Sequence, residues 1–263
     1  MKPVTKLPRT SCRKINAVFS DLDDTLTLAG RIPPQAYRSL WRLRKNGITI
    51  VIVTGRPSGW ADALLRLMPV NSVVAENGAV TLACDEAAGT IKRTYALAEG
   101  ERRNNRKILD GICRKILEKM PGLRLAADQI FRETDIAFDI CEDVDHLDSR
   151  TIELLTSLIE AEGLTYKISS IHVNAWIGTY DKKAACKRLL KSMGRNSTKT
   201  IVPLFIGDSP NDEPLFGSFK LSVGVANVNR FARTMKHLPA YVTDREGGAG
   251  FSEMADHILK NRR

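Results

Sequence analysis

The sequence predicts an α/β protein in which a parallel-sheet domain is interrupted by an inserted α+β domain. Short apolar segments of strand length alternate with segments of helical periodicity near both ends of the chain, as in a parallel sheet covered by helices on both faces. The middle of the chain differs in charge from its flanks: residues 84–180 contain 13 Lys and Arg against 17 Asp and Glu, whereas the rest contains 27 against 13. We therefore expect one domain built from residues 1–83 and 181–263, and a second over 84–180.

In the N-terminal flank, continuous apolar runs predict buried strands and amphipathic spacing predicts helices. The predicted strands are Ile15–Ser20, Ile48–Val53 and Ser72–Ala75, and the predicted helices are Pro34–Lys45 and Trp60–Leu67. The C-terminal flank repeats this alternation. Its predicted strands are Ile201–Ile206, Leu221–Val225 and Ala240–Thr243 (an edge strand), and its helical segments are Asn211–Phe216, Asn227–Lys236 and Phe251–Lys260.

The middle of the chain has a different order of elements, which is the reason for predicting an α+β insert. The pattern predicts a hairpin, a long amphipathic helix, a strand, a second helix and a further strand. These segments are Val80–Tyr95, Arg102–Met120, Gln129–Ile140, Ser149–Ala161 and Tyr166–Trp176. Trp176 and the long helix are expected to contribute to the hydrophobic core.

Composition excludes several classes of protein. With 43% hydrophobic and 27% charged residues among 263, the chain is not a disordered or collagen-like protein. No apolar run approaches the roughly 18 residues of a membrane span, and the first 14 residues lack the apolar stretch of a signal peptide. Five cysteines without a C-x-x-C pair predict reduced thiols. We therefore expect a cytoplasmic protein that does not bind membranes.

The first cluster of acidic residues, Asp21–Thr25, directly follows a predicted buried strand. Ligands of an open parallel sheet bind beyond the carboxyl ends of its strands, so Asp21 and Asp23 are placed where a site is expected. Two carboxylates at this spacing can share a divalent cation and act as nucleophile and acid/base. A helix cap or a solvated acidic loop is the alternative. An EF-hand is excluded, because Leu26 and Ile32 stand where its Gly and Glu would be.

Three further segments have a comparable placement. Thr54-Gly55-Arg56 follows the second strand and offers a hydroxyl and backbone N–H groups at a helix start, which suits an anion; a plain turn is the alternative. In Asp181-Lys182, Asp181 can cap the following helix, and Lys182 is either a site cation or a surface lysine. The segment Gly207–Asp212 follows another apolar strand and supplies oxygen ligands for a hard cation.

Together these four segments resemble, in order, the motifs of the haloacid dehalogenase superfamily of phosphohydrolases. Those motifs are D-x-D-x-T, a Thr or Ser before Gly after an apolar run, a Lys, and G-D-x-x-N-D. The insert lies between the second and third motifs, as in class IIB members with an α+β cap, and Glu76–Ala79 resembles a segment common in that class. This class includes Cof-type phosphatases, phosphatases of mannosyl-3-phosphoglycerate, trehalose phosphate and sucrose phosphate, and phosphomannomutases. The resemblance implies a Rossmann-like core with an inserted cap.

The resemblance also implies roles for individual residues. Asp21 would attack phosphorus to form an aspartyl-phosphate, and Asp23 would act as general acid and base. Thr54 and Lys182 would be catalytic by binding the transferring phosphoryl group. The implied Mg²⁺ ligands are Asp21, Asp23 (through its backbone carbonyl), Asp208 and Asp212, and the implied substrate-binding residues are Thr54, Gly55, Arg56, Lys182 and Asn211. Asn211 would orient Lys182 or the phosphate.

Two positions depart from the Cof-type pattern: Lys183 stands where Gly is frequent, and Ser209-Pro210 replaces Gly-Glu. Neither removes a ligand, so the expected function is that of a Mg²⁺-dependent phosphatase acting on a small phosphorylated metabolite, a sugar phosphate. Asp23 favours phosphoryl transfer, because dehalogenating members lack this second Asp. The cap would set specificity, and its candidate residues are Arg132, Glu133, Ser169, Ser170, His172 and Asn174.

Besides a protein–protein interaction module, which no feature of the sequence singles out, two other functions remain open. One is a phosphomutase, which returns the phosphoryl group to substrate rather than to water. The other is a non-catalytic nucleic-acid-binding protein on the same fold, which the formal net charge of +10 would favour. The acidic residues of the four motifs would repel a phosphate backbone in the absence of a metal. We therefore expect a small-molecule substrate and no nucleic-acid partner.

Overall fold

The structure is a computed structural model, which describes residues 1–85, 88–195, 198 and 200–262. Its strands are β1 (Lys2–Pro3), β2 (Ala17–Ser20), β3 (Thr49–Val53), β4 (Ser72–Ala75), β5 (Val80–Asp85), β6 (Thr90–Tyr95), β7 (Arg124–Leu125), β8 (Asp135–Asp139), β9 (Thr165–Ile168), β10 (His172–Trp176), β11 (Pro203–Gly207), β12 (Leu221–Gly224) and β13 (Tyr241–Val242). Its helices are α1 (Arg9–Lys14), α2 (Pro34–Lys45), α3 (Ser58–Leu67), α4 (Glu99–Lys119), α5 (Ser149–Ala161), α6 (Lys182–Arg195), α7 (Glu213–Phe216) and α8 (Gly247–Lys260).

The larger of the two sheets has the strand order β1-β13-β12-β11-β2-β3-β4-β5-β6 among the described residues. The strands from β1 to β4 in this order run parallel, whereas β5 and β6 pair antiparallel. The central strands are buried on both faces, because helices α1, α2 and α8 pack near one face and α6 and α7 near the other. The predicted α/β fold with a mainly parallel sheet is confirmed.

The second sheet is antiparallel, with the order β7-β8-β10-β9. Helices α4 and α5 pack on it and form a separate hydrophobic core that includes Leu109, Phe138, Leu155 and Val173. We call residues 99–176 the cap and the remainder the core. Within the described residues, no helix combines the length and the apolar character that crossing a membrane requires.

The predicted boundary at residue 84 falls inside the large sheet. Strand β5 pairs with β4, and β6 pairs with β5, so the hairpin extends the sheet of the core instead of beginning the cap. Glu86 and Ala87 of that hairpin lie outside the described residues. The division into 1–83, 84–180 and 181–263 stays a prediction.

Three predicted elements of the cap and C-terminal flank have a different secondary structure from the one predicted. The strand over Tyr166–Trp176 is a hairpin, because Ser169 N–H donates to the carbonyl of His172 and the Ser169 hydroxyl accepts from His172 N–H. The strand over Gln129–Ile140 is preceded by a 3-10 turn (Ala127–Phe131). The helix over Asn227–Lys236 is a 3-10 segment (Ala226–Phe231), in which the buried Asn227 side chain accepts from Gly247 N–H.

The predicted edge strand Ala240–Thr243 is not at the edge. Strand β13 pairs with β12 on one side and with the two-residue β1 on the other. So short a strand carries no periodic signal, which explains why the sequence analysis did not find β1. Trp176 is 1% exposed and stacks on Tyr180, which confirms its prediction as a core residue.

Candidate active site

Four neighbouring strands of the large sheet, β4, β3, β2 and β11, end at the same edge. The residues that follow or end them are Glu76 after β4, Thr54 after β3, Asp21 after β2 and Asp208 after β11. Parallel strands place their carboxyl ends together, so loops far apart in sequence meet here. This edge lies against the cap, and the candidate site lies between them.

Three buried carboxylates converge at this edge. Asp21, Asp208 and Asp212 each offer a carboxylate oxygen within 4.8 Å of the others, and each side chain is nearly inaccessible to solvent. Hydrogen bonds orient two of them: Asp212 Oδ2 accepts from the backbone N–H of Asp208 at 3.1 Å, and Asp208 Oδ1 accepts from the Thr25 hydroxyl at 3.0 Å. A Cβ at Gly207 would lie 2.3 Å from Asp212 Oδ2, so glycine is required for this approach.

Lys182, the first residue of α6, lies among these carboxylates. Its Nζ donates to Asp21 Oδ1 at 2.7 Å and to Asp212 Oδ1 at 3.2 Å. The helix begins close to the site because Asp181 Oδ1 accepts from Ala184 N–H, as predicted for a cap. Gly78 has a left-handed φ of 103°, and a Cβ there would lie 2.2 Å from the Asp181 carbonyl oxygen. We call Asp21, Asp208, Asp212 and Lys182 the acid cluster.

In the acid cluster, burial and neighbouring charges have opposite effects on the pKa of Lys182 but the same effect on the pKa of Asp208. Burial alone would lower the pKa of Lys182, but the Asp21 and Asp212 carboxylates outweigh it and raise that pKa, so the ammonium stays charged. Burial raises the pKa of Asp21, and Lys182 opposes this effect. At Asp208, burial and the neighbouring acids both raise the pKa. Three carboxylates against one ammonium leave an excess of hard oxygen donors, which suits a divalent cation such as Mg²⁺.

Asp23 is predicted to offer its backbone carbonyl to the metal and its side chain as general acid and base, and this side chain contacts an arginine. The Arg56 guanidinium donates to the Asp23 carboxylate through Nε at 3.1 Å and through Nη2 at 2.9 Å. Arg56 also contacts two acids of the cap, Glu142 and Asp128. We call Arg56, Asp23, Asp128 and Glu142 the Arg56 cluster. The predicted substrate-binding Arg56 is therefore already surrounded by carboxylates.

The remaining predicted residues lie around these clusters. Thr54 Oγ1 accepts from Arg56 N–H at 3.0 Å, which leaves the hydroxyl hydrogen free to donate. The Gly55 carbonyl accepts from Arg132 Nη1 at 2.9 Å. Asn211 Oδ1 accepts from the Ser209 hydroxyl at 3.0 Å, while Asp21 and Asp212 orient Lys182.

A cavity of about 20 Å³ separates the acid cluster from the cap. Its cap side is formed by Lys167, Ser169, Ser170, Ile171, His172 and Asn174. Four of these were candidate specificity residues. Sequence reasoning missed Lys167. It lies two residues before Ser169 in the predicted strand Tyr166–Trp176, and side chains two residues apart in a strand share a face.

Arg132 and Glu133, the other candidate specificity residues, attach the cap to the core. Glu133 Oε1 accepts from the Ser58 hydroxyl at 2.6 Å and from Arg93 Nη1 at 2.9 Å. The fully buried Glu76 carboxylate accepts from the backbone N–H groups of Ser58, Glu133 and Thr134. Glu76 thus joins the core to the cap.

The chain is similar to known proteins over most of its length. Residues 18–103 and 125–248 match the family described as haloacid dehalogenase-like hydrolase. A phosphoglycolate phosphatase of Methanothrix thermoacetophila is 30% identical, over 93% of this chain and 97% of the relative. A glucosyl-3-phosphoglycerate/mannosyl-3-phosphoglycerate phosphatase of Persephonella marina is 24% identical, over 92% and 96%. The crystal structure of protein 0175 of Thermoplasma acidophilum superposes with a TM-score of 0.68 at 23% identity, covering 93% of this chain and 98% of that one.

Proposed function

This chain belongs to the haloacid dehalogenase-like hydrolase family, and on that premise we propose that it is a divalent-metal-dependent phosphatase of a small phosphorylated metabolite. The observation that carries the proposal is the acid cluster, in which three buried carboxylates and Lys182 meet beside Asp23. This donor set suits Mg²⁺, with Asp21, Asp208 and Asp212 supplying side-chain oxygens and Asp23 a backbone carbonyl. When bound, such a cation would neutralise part of the negative charge that keeps a carboxylate and a phosphate apart.

Asp21 is proposed to attack the phosphorus in line. The bond from phosphorus to the leaving oxygen breaks, and Asp23 gives its proton to that oxygen, which leaves as an alcohol. Asp23, now ionised, takes a proton from the water that attacks the aspartyl-phosphate. Inorganic phosphate is released and the Asp21 carboxylate is restored.

Lys182 and Thr54 are proposed to hold the transferring phosphoryl group. The Lys182 ammonium is charged and buried, so its attraction for a phosphoryl oxygen is weakly screened. The Thr54 hydroxyl already accepts from Arg56 N–H, and its hydrogen is available to a second phosphoryl oxygen. Both contacts strengthen as negative charge spreads over the equatorial oxygens in the transition state.

For the substrate, we propose a phosphorylated hydroxy acid, from which the hydroxy acid is the leaving group. The cation Lys167 lies on the cap side of the cavity between the acid cluster and the cap, where a carboxylate would be attracted. The two phosphatases named above act on phosphoglycolate and on glycosyl-3-phosphoglycerates. The sugar phosphate expected from the sequence stays a prediction.

Phosphate release by the purified protein, with Mg²⁺ and with EDTA, tests the proposal. The panel contains phosphoglycolate, 3-phosphoglycerate, hexose and disaccharide phosphates, and nucleotides. We expect metal-dependent release that is greatest for a phosphorylated hydroxy acid. If no compound of the panel releases phosphate, the protein is not the proposed phosphatase. Isomerisation of a hexose phosphate without release of phosphate would identify a mutase.

Asp21→Asn tests the nucleophile, because an amide cannot form the acyl phosphate. We expect turnover to fall by about 10³-fold or more with an unchanged fold. The matched control is Asp24→Asn, three residues further along the same loop, where Asn tolerates the left-handed φ of 54°. Full activity in a folded Asp21→Asn protein would exclude Asp21 as the nucleophile.

A further inference from the structure

Arg56 joins the core to the cap through three carboxylates. Its side chain is 3% exposed, and its Cζ lies 4.5 Å from the centre of the Trp60 ring. Its partner in the core is Asp23. Its partners in the cap are Glu142, which it contacts through Nη2 at 2.6 Å and Nη1 at 3.0 Å, and Asp128, which it contacts through Nη1 at 3.3 Å. A guanidinium presents its donors in one rigid plane. Any group that fixes this plane at the cap side therefore also fixes it at Asp23.

Glu142 is itself held firmly, although it lies in a loop. The buried Asp139 carboxylate accepts from three successive N–H groups, those of Cys141 at 3.0 Å, Glu142 at 2.8 Å and Asp143 at 2.9 Å. His172 Nε2 lies 2.9 Å from Glu142 Oε2. The loop therefore presents Glu142 in one orientation toward the core.

Glu142 remains ionised in this setting. Burial raises its pKa, but the neighbouring His172 and Arg56 outweigh burial and lower that pKa to about 2. The ionised carboxylate and the guanidinium form a bidentate pair, which fixes geometry more strictly than a single hydrogen bond. By contrast, Asp128 offers Arg56 one longer contact and is shared with Arg132. Glu142 is thus the cap residue best placed to orient Arg56.

We propose that Glu142 is a positioning residue: from the cap, it holds the Arg56 guanidinium in the plane that presents the Asp23 carboxyl to the leaving-group oxygen. The inference rests on the proposed function, since it requires Asp23 to be the general acid. It means that the acid is aligned when the cap is docked, and that undocking releases Arg56 from Glu142 and leaves Asp23 without this orientation. Protonation of the leaving group is then coupled to cap closure.

Two substrates of nearly equal shape separate this role from a simple docking role. Ethyl phosphate must lose an alkoxide, which needs a proton, whereas acetyl phosphate loses acetate, which does not. The kcat/KM value reports steps up to the first irreversible one, here the transfer to Asp21. Misplacing Asp23 therefore lowers kcat/KM for ethyl phosphate and spares acetyl phosphate.

For Glu142→Gln, we expect kcat/KM to fall by about 10²-fold with ethyl phosphate and by less than about tenfold with acetyl phosphate. Glu142→Asp keeps the charge but withdraws the carboxylate, so it should show the same pattern with a smaller loss, and it carries the test if the Gln variant does not fold. The matched control is Glu153→Gln, which alters an exposed glutamate of the cap helix α5 without changing a contact between cap and core. It should leave both kcat/KM values unchanged.

Asp23→Asn completes the test. If Asp23 is the acid, this variant selectively loses ethyl phosphate turnover, and adding Glu142→Gln to it causes no further selective loss. Equal losses for both substrates in the Glu142 variants, with a selective loss in Asp23→Asn, would overturn the positioning role and leave the proposed function intact. Absence of a selective loss in Asp23→Asn would contradict the proposed acid itself.

Discussion

In the acid cluster, three carboxylates of the core surround one ammonium, whereas in the Arg56 cluster one guanidinium joins a carboxylate of the core to two of the cap. The first cluster is complete within the core, because the backbone of the loop after β11 and the start of α6 hold it. The Arg56 cluster is complete only when the cap is docked on the core, because Asp128 and Glu142 belong to the cap. The proposed metal site and the proposed alignment of the acid therefore depend on different parts of the molecule, and variants should be able to separate them.

Among the variants that separate the two clusters, Lys182→Met should have the largest effect, and it acts on the acid cluster. Removing the ammonium leaves buried carboxylates without their counter-charge and removes the proposed phosphoryl contact. We expect kcat to fall by about 10²- to 10³-fold and the melting temperature in EDTA to decrease. Mg²⁺ should raise the melting temperature of the variant more than that of the wild type, because it replaces the lost charge.

The control for this prediction is Lys187→Met, an exposed lysine on the same helix. It should leave both kcat and the response to Mg²⁺ unchanged. A Lys182→Met protein as stable in EDTA as the wild type would contradict the electrostatic account of the cluster.

Leu155→Ala should destabilise the cap and spare the acid cluster. Leu155 lies fully buried between α5 and the small sheet, and its truncation leaves a cavity. We expect the free energy of unfolding in urea to fall by about 3 kcal/mol, with the Mg²⁺-dependent stabilisation retained. Leu154→Ala, at the neighbouring exposed position, should change the free energy of unfolding by less than about 0.5 kcal/mol. Equal effects of the two substitutions would contradict the packing of the cap core.

The two clusters also differ in how far the sequence predicts them. Asp21, Thr54 and Asp208 each follow a short apolar strand, so the parallel sheet alone brings them together. Arg56 and Glu142 are 86 residues apart and meet through cap docking, which no periodic pattern encodes. Glu142 lies in an acidic loop without alternation, and its role became visible with the contacts of Arg56.

The fold shows the same contrast. The strands of the central sheet were predicted within a few residues because they are continuous apolar runs, and helix α5 begins and ends where amphipathic spacing placed it. The hairpin of β9 and β10 was predicted as one strand, because its turn depends on Ser169–His172 hydrogen bonds rather than on Gly or Pro. Tertiary contacts, not local propensity, determine such segments.

Glu76→Gln should weaken cap docking without altering either cluster directly. The carboxylate of Glu76 faces donors from Ser58, Glu133 and Thr134, and an amide NH₂ would place a donor against them. We expect the free energy of unfolding to fall by about 2 kcal/mol and kcat/KM to fall more for ethyl than for acetyl phosphate. The control is Glu101→Gln on the exposed side of α4, which should change neither. A Glu76→Gln variant with wild-type stability would contradict its role in joining cap and core.

Asp148→Ala should have the smallest effect, confined to the stability of the cap. Asp148 caps α5, because its carboxylate accepts from the N–H groups of Arg150 and Thr151 at 2.8 and 3.0 Å. These two bonds, together with a third from the Thr151 hydroxyl, lower the pKa of Asp148 below 3.8. A lowered pKa in the folded state means that the contribution is present above pH 3.8 and is lost as the pH falls through the folded-state pKa. We therefore expect a small decrease in the urea midpoint at neutral pH that shrinks in acid, with unchanged kcat/KM. Asp148→Asn retains a capping oxygen without a charge, so the pH dependence of the difference between wild type and this variant isolates the charge. If Asp148→Ala decreases the urea midpoint equally at neutral and acidic pH, the charge of the carboxylate does not contribute to the stability of α5.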